Sequence, residues 1–352
     1  MADPVTQHQP RPAEEPATED AATGSGGWLR YAAGKLGGGL LSLFLVAVLG
    51  FFLFRVMPGD PVRTMTRGAA VSGEQIQQLR HRFGLDQPLW KQFLDFLGAL
   101  LRGDLGTSYT YSRPVADLIA ERFWPTVLLV GTATVLAVVL GLWMGTRAAW
   151  RQGGKFDKIS TSVALTFWSV PTFWFGLIVL MVFGVGVGPI PGLFPVGGIN
   201  SPDTPPELPA QVLDVARHLV LPASTMVAVV YAQYLMVMRS SLLEEMGADY
   251  LTTARAKGLR EDLVRRRHAV PNAMLPTVTL IFLHLGLVVG GAITVETVFS
   301  WPGLGLLTYE ALKVPDLPLL QGTFIVLAGS VIVMNVVADL LYRVLDPRVR
   351  AS

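Results

Sequence analysis

Cysteine is absent from the 352 residues, and the five histidines, His8, His81, His218, His268 and His284, fall into no HExxH or other metal-binding spacing. Thiol catalysis, disulfides and cysteine metal sites are thereby excluded. The pair Gly154-Lys155 is followed by Phe156, so a GxxxxGK loop ending in Ser or Thr, which would cradle nucleotide phosphates, is missing. The sequence predicts no enzyme, with no catalytic residue, metal or cofactor site in this chain.

Polar and aromatic residues inside otherwise apolar runs are the remaining candidates. His284 lies in the middle of one run, where an imidazole serves either as a polar contact between helices or as a point on a solute path. Tyr231 and Gln233 occupy a similar place in another run. Phe167, Trp168, Phe173, Trp174 and Phe175 surround Pro171; they either line a cavity or pack against lipid and neighbouring helices. The candidate path residues are thus Phe167, Trp168, Tyr231, Gln233 and His284. Pro171 should kink its run, since it frees a carbonyl that neighbours must satisfy.

A third group is the stretch DYLTTARAKGLREDLVRRRHAVPNAMLPTVTL, Asp249 to Leu280, which sets basic, helix-forming sequence between two apolar runs. Asp249 can cap a short helix, and Gly258 can end it by accepting a left-handed backbone. A second helix, EDLVRRRHAV, then runs to Pro271. Thr253, Ala254 and Ala256 are small enough for another protein surface to approach the backbone. A plain basic loop would explain the arginines but not the glycine and proline punctuation.

The elements that must position these residues are membrane helices. The chain is 51% hydrophobic and 15% charged, with a mean hydropathy of +0.47. A bilayer core about 30 Å thick needs roughly 20 apolar residues per helix. Six uncharged runs qualify, at about 36–54, 126–145, 161–188, 219–238, 275–295 and 319–338. Buried helices of a soluble protein rarely reach this length without a charge. The fold class expected is all-α, with six transmembrane helices, a helical extracytoplasmic loop and a cytoplasmic helical segment over 239–274.

Basic residues set the orientation. Arg147, Arg151, Lys155 and Lys158 follow the second run, and Arg239, Arg255, Lys257, Arg260, Arg265, Arg266 and Arg267 follow the fourth. The alternate short loops carry only Arg217 and Lys313. The positive-inside rule then places both termini in the cytoplasm. The first loop, 55–125, exceeds the roughly 60-residue limit within which loop charge decides, and it is assigned outside.

Residues 1–27, rich in Pro, Ala, Glu and Thr, read as a disordered tail ahead of a membrane domain over 28–352. No cleavable signal is expected, because the first run ends in RVMPGDP rather than in small residues. In the first loop, Ser72 with Gln75 forms a capping pattern and Gly84 a stop. The next helix, from Pro88, puts Leu89, Phe93, Phe96, Leu97 and Leu100 on one face, for the membrane, a partner or the chain's own spans. The seven prolines from Pro189 to Pro209 predict an extended connection before the fourth run.

The Asp249 segment resembles the cytoplasmic coupling loop of ABC importer permeases, whose pattern is E-A-A-x-x-x-G-x9-I-x-L-P. Gly258 supplies the glycine and Pro271, thirteen residues on, the proline, while Thr252 and Thr253 replace Glu and Ala, and His268 and Val270 replace Ile and Leu. DYLTTARAKGL is similar to the variant in the dipeptide/oligopeptide/nickel permease family. So are RVMPGDP from Arg55, FGLDQPL from Phe83, GDLGTSY from Gly103, VETVFSWPGLG from Val295 and DLLYRVLDPRVR from Asp339.

The resemblance covers about residues 28–350. It implies the first-type permease of a bacterial cytoplasmic-membrane importer, working with a second homologous permease, two cytoplasmic ATPase subunits that carry the ATP and Mg, and an extracytoplasmic substrate-binding protein. Lipid surrounds such a chain and nucleic acid is no partner. The residues expected to couple to an ATPase are Asp249, Tyr250, Thr252, Thr253, Ala254, Arg255, Ala256, Lys257, Gly258 and Pro271. Peptides are the commonest cargo of the family, with oligosaccharides and nickel chelates as alternatives. An ion-coupled secondary transporter would need an intramembrane acid or base, and the six runs hold none beyond His284.

Overall fold

The computed structural model describes residues 25–56, 62, 66 and 72–345, without the side chains of 25–29, 82, 279, 283–292 and 341–345. The predicted tail lies outside the described residues except at its last three positions, which begin the first helix. The ends of two signature stretches, from Met57 and from Asp346, also lie outside them, as does the side chain of His284.

α1 (Ser25–Val56) and the last helix, α13 (Leu317–Leu345), pair antiparallel. Small residues fix the pairing: a Cβ on Gly50 would stand 2.9 Å from the Phe324 ring, and one on Gly39 3.2 Å from Val336. Lys35 then meets Asp339 at 2.7 Å. The start of α1 and the end of α13 therefore share one end of the bundle, as an even number of crossings requires.

α4 (Val115–Trp150) and α7 (Leu208–Glu245) form the centre. They approach through Gly141 and Gly145, spaced so that both fall on one helix face. A Cβ on Gly141 would sit 2.8 Å from the Tyr231 carbonyl, and one on Gly145 2.6 Å from that of Leu235. Because the contacts advance in the same direction on both helices, α4 and α7 run parallel. Their C-terminal ends lie together, which brings the two arginine-rich connections to one end of the molecule.

Between them the chain departs from a single third span. α5 (Lys155–Ser169) stops at Val170, whose backbone is extended (φ −83°, ψ 131°), and α6 (Thr172–Val179) continues through a wider π turn, Leu180–Val185. The two arms are bent by 101°. Proline disfavours helical backbone at the residue before it, so the expected kink is a full break. Four helices are long and apolar enough to cross a membrane among the described residues, and five if the bent pair is one span. The predicted 275–295 run is helical as α11 (Leu275–Val298).

The connection predicted to be extended is so only in part. A two-residue hairpin, β1 (Gly186–Val187) with β2 (Ile190–Pro191), is followed by turns tied to α7, where Asp214 accepts from the Ser201 N–H at 2.6 Å and the Thr204 hydroxyl at 2.8 Å. α7 itself starts eleven residues before its apolar run, with Pro209 in its first turn. In the first loop, α2 (Gly73–Arg82) is capped by Ser72 and Gln75 in reciprocal bonds of 3.3 and 2.9 Å, and Gly84 takes φ +63°. α3 (Leu89–Leu101) lays Phe93 and Phe96 against Phe51 of α1, with ring centroids 5.3 and 5.4 Å apart, while Trp90 and Leu94 face outward. Its apolar face is shared between the chain's own span and the exterior.

Candidate functional site

At the basic end, α7 gives way through Gly247 to α8 (Asp249–Ala256), then to the short α9 (Glu261–Leu263), a π turn over Val264–Ala269 and α10 (Val270–Ala273). The N-cap is Ala248, which offers no side chain; Asp249 is the first helical residue and acts through charge on the first turn rather than as a cap. The stop is as the sequence predicts. Gly258 takes φ +78°, and its N–H and that of Leu259 return to the Arg255 and Ala254 carbonyls at 2.9 and 3.3 Å.

The second helix is less regular than expected. Pro271 lies in the first turn of α10 instead of ending a continuous helix, and the wide turn before it absorbs the missing donor.

α8 has two faces. Leu251 and Ala254 point inward, joining Ala149, Met238, Leu242, Val264, Ala269 and Ala273 in one buried apolar cluster. Ala254 is 6% exposed. It was expected to meet another protein, but it meets this chain's own helices; residues 251 and 254 are three apart and so share the face that α8 turns to its support. Asp249, Tyr250, Thr252, Thr253, Ala256, Lys257 and Gly258 are exposed, as is Pro271, and Arg255 is half-buried.

Polar contacts hold this segment to its neighbours. The Tyr250 hydroxyl donates to Glu245 and accepts from Asn272 Nδ2 at 3.0 Å, joining the start of α8 to both α7 and α10. Burial pushes its phenol up, the Asn272 hydrogen bond opposes that shift, and the Glu245 carboxylate adds to it. Arg255 reaches across the Gly258 turn to Glu261 at 2.9 Å. Deeper in, Arg239 of α7 grips Asp157 of α5 through Nε at 2.6 Å and a second nitrogen at 2.9 Å, and Gly153 N–H donates to the same carboxylate at 2.9 Å. The Asp157 side chain is 5% exposed and that of Arg239 23%, so the two basic connections are joined by a charge pair buried mainly on the acid's side. In the sequence Arg239 is one more basic residue of its connection, and the signal for its partner is Asp157, the lone acid between Arg147 and Lys158.

The opposite end holds two further clamps. Glu296 is wholly buried at the end of α11, accepting from the Thr126 hydroxyl at 2.7 Å and Leu306 N–H at 3.0 Å, while Trp301 Nε1 donates to the Pro125 carbonyl at 2.9 Å. A Cβ on Gly303 would fall 2.3 Å from that carboxylate. The VETVFSWPGLG stretch is therefore a knot between α4, α11 and α12 (Leu304–Lys313). Ser108 Oγ in GDLGTSY and the N–H of Thr110 just after it donate to buried Asp316 at 2.6 and 2.9 Å. Nearby Tyr109 stacks on Phe83 with centroids 4.2 Å apart, and burial pushes its phenol up to about 12.

The predicted path residues do not come together. Phe167 packs edge-on against Phe175 across the Pro171 break at 5.2 Å, and Trp168 is half exposed. Tyr231 is buried with Ala137, Ala164 and Leu235 in the α4–α7 contact, and Gln233 is half-buried. Two of the cavities bordered by described residues stand out. One, of about 470 Å³, is lined by Leu142, Trp143, Arg147, Arg151, Arg265 and Arg266, among others. The other, an apolar groove of about 660 Å³ between α4 and α7, includes Leu136, Val139, Trp143, Leu219 and Val227. Neither contains a predicted path residue.

Two family descriptions match the chain. Residues 137–351 match the binding-protein-dependent transport system inner membrane component, and residues 28–130 match the N-terminal part of such membrane components. The glutathione transport system permease protein GsiC of Escherichia coli is 37% identical over 92% of this chain and 99% of its own length. The dipeptide transport system permease protein DppB of the same organism is 36% identical, with the same coverage of both chains. In three dimensions, the inward-facing MetNI methionine ABC transporter superposes with a TM-score of 0.50 over 66% of this chain and 97% of its own, at 16% identity, a likeness of fold.

Proposed function

The chain belongs to the family of binding-protein-dependent transport system inner membrane components, and from that premise we propose that it is a permease subunit of an ATP-driven importer of peptides. The relatives that cover nearly its whole length are named for glutathione and dipeptide transport, which favours short peptides as cargo. A second permease, two ATPase subunits and a substrate-binding protein complete the assembly. ATP and Mg belong to the ATPases.

The basic end faces the cytoplasm, both termini lie there, and the chain crosses six times, the bent α5–α6 pair and α11 included. The reading rests on the two arginine-rich connections emerging at one end while the capped, knotted loops gather at the other.

The single observation that carries the mechanism is the two-faced α8. Its inner face is seated in the chain's own apolar cluster, and its outer face presents Asp249, Thr252, Thr253, Ala256 and Lys257 beside the Gly258 turn. A helix held this firmly transmits a push from a docked ATPase into α7, and through the Asp157–Arg239 pair into α5. ATP-driven closure then biases the spans between outward and inward access, a population shift driven from a remote site. The test is uptake by proteoliposomes carrying the full complex: peptide accumulation that requires internal ATP and the binding protein supports the reading, and ATP-independent accumulation by this chain alone overturns it.

A further inference from the structure

We propose that the arginine-lined cavity at the basic end, together with the apolar groove that adjoins it, is a binding site for one anionic phospholipid. Four guanidiniums, Arg147, Arg151, Arg265 and Arg266, border a space of about 470 Å³, with Trp143 and Trp150 beside them. Two of the arginines are held in place by aromatic faces: Arg265 lies 5.7 Å from the Trp150 ring centroid and Arg147 5.1 Å from that of Phe156. Among the described residues none of the four forms an ion pair, although Arg239, Arg255 and Arg260 nearby all do. Four positive charges converge without a carboxylate to neutralise them, and the site is complementary to a phosphate. Arginine forks match its oxygens in pairs.

The second observation selects a lipid over a free ion. Trp143 lines both the basic cavity and the apolar groove between α4 and α7. Along α4 the lining residues recur at helical spacing, Thr132, Leu136, Val139, Leu140, Trp143, Arg147 and Trp150, so one face turns from apolar to basic as it nears the helix end. On the α4 side the groove extends about 16 Å from Thr132 to Trp143 at 1.5 Å per residue, and its α7 side continues to Ala216, so it has room along its length for an acyl chain entering from the basic end. Tryptophan at the junction suits the level where headgroups meet acyl chains. The occupant has a phosphate at Arg147, Arg151, Arg265 and Arg266, and a chain lying past Trp143 along Val139 and Leu136. Basic pockets between membrane helices on the cytoplasmic side hold anionic headgroups in this way.

The site bridges α4 and the Val264–Ala269 turn, so a bound lipid would brace the segment that carries α8. The experiment is native mass spectrometry of the purified intact chain, titrated with phosphatidylglycerol, with phosphatidylcholine and, separately, with inorganic phosphate. The wild type should hold one phosphatidylglycerol in preference to phosphatidylcholine, and inorganic phosphate should not displace it. Each guanidinium removed should weaken the anionic lipid about fivefold, and Arg147→Gln with Arg266→Gln on the order of 30-fold. Arg147→Lys with Arg266→Lys, which keeps the charge but loses the paired contacts, should bind between the wild type and the double glutamine variant, and Arg102→Gln, exposed and lining neither cavity, should match the wild type. The double glutamine variant should keep the elution profile of the wild type on size exclusion, which separates loss of lipid from loss of fold. Equal retention of phosphatidylglycerol by that variant overturns the proposal. So does displacement by inorganic phosphate, which would make the site a free-anion site.

Discussion

Adjacent faces of α8 should respond in opposite ways to the same substitution. Ala254→Arg would place a guanidinium among Leu251, Leu242, Met238 and Val264, all fully buried, with no carboxylate in the cluster. Taking an unpaired charge out of water costs several kcal/mol even after relaxation, against a typical total stability of about 5–15 kcal/mol. Ala254→Leu adds volume without charge and should cost about 1–3 kcal/mol by overpacking. Ala256→Arg, two residues on, points to solvent, and its cost should stay within about 0.5 kcal/mol.

Thermal unfolding of each variant in detergent, read as an apparent midpoint at fixed scan rate, ranks them. Ala254→Arg should give little folded protein, Ala254→Leu a lowered midpoint, and Ala256→Arg a midpoint near the wild type together with loss of the ATPases on purification. A stable, monodisperse Ala254→Arg chain that had lost only its ATPases would refute this assignment of faces.

Other consequences follow from single contacts. Asp157→Asn should cost about 1–3 kcal/mol by removing the charge partner of the partly buried Arg239, while Asp157→Leu with Arg239→Met should recover much of the loss in the same unfolding assay. Gly258→Val should cost roughly 1–2 kcal/mol, because a Cβ there meets nothing within 4 Å and only the φ of +78° opposes it; Gly258→Asn should therefore keep peptide uptake where Gly258→Val loses it. The Tyr109 phenol, raised from 10.0 to about 12, contributes stability that is complete below pH 10 and lost as pH rises from 10 through 12. Ultraviolet titration of the wild type minus that of Tyr109→Phe should leave a single tyrosine that ionises late. Single cysteines at Gln152 or Lys257 should resist an impermeant thiol reagent added to intact cells, and cysteines at Gln78 or Asp203 should react.

The sequence revealed local punctuation more reliably than partners. Ser72 with Gln75 and Gly258 act where expected, because a cap or a left-handed turn depends on a few neighbouring residues. Ala254 was legible as small but not as buried: which face of an eight-residue helix looks inward is decided by Leu242, Val264 and Ala273 from other elements. Pro171 marked a kink, yet its 101° extent depends on how α5 and α6 pack afterwards. The pairing of Asp157 with Arg239 joins residues 82 apart, and that of Glu296 with Thr126 residues 170 apart, beyond any local pattern. For the path candidates, aromatic content does not say whether rings face a cavity or one another, as Phe167 and Phe175 do. Gly141 and Gly145 carried an unread signal: a small-xxx-small spacing inside an apolar run marks a close helix contact.

The central claim is that the outer face of α8 is where an ATPase docks, and the absence of cysteine makes it directly testable. A single cysteine at Thr253, labelled with a short photo-crosslinker in the purified complex, should join this chain to an ATPase subunit, with a yield that changes on adding ATP. A cysteine at Lys313, exposed at the opposite end, should not. Crosslinking to the ATPase from Lys313, or none from Thr253 in a complex that retains its ATPases, would contradict the account.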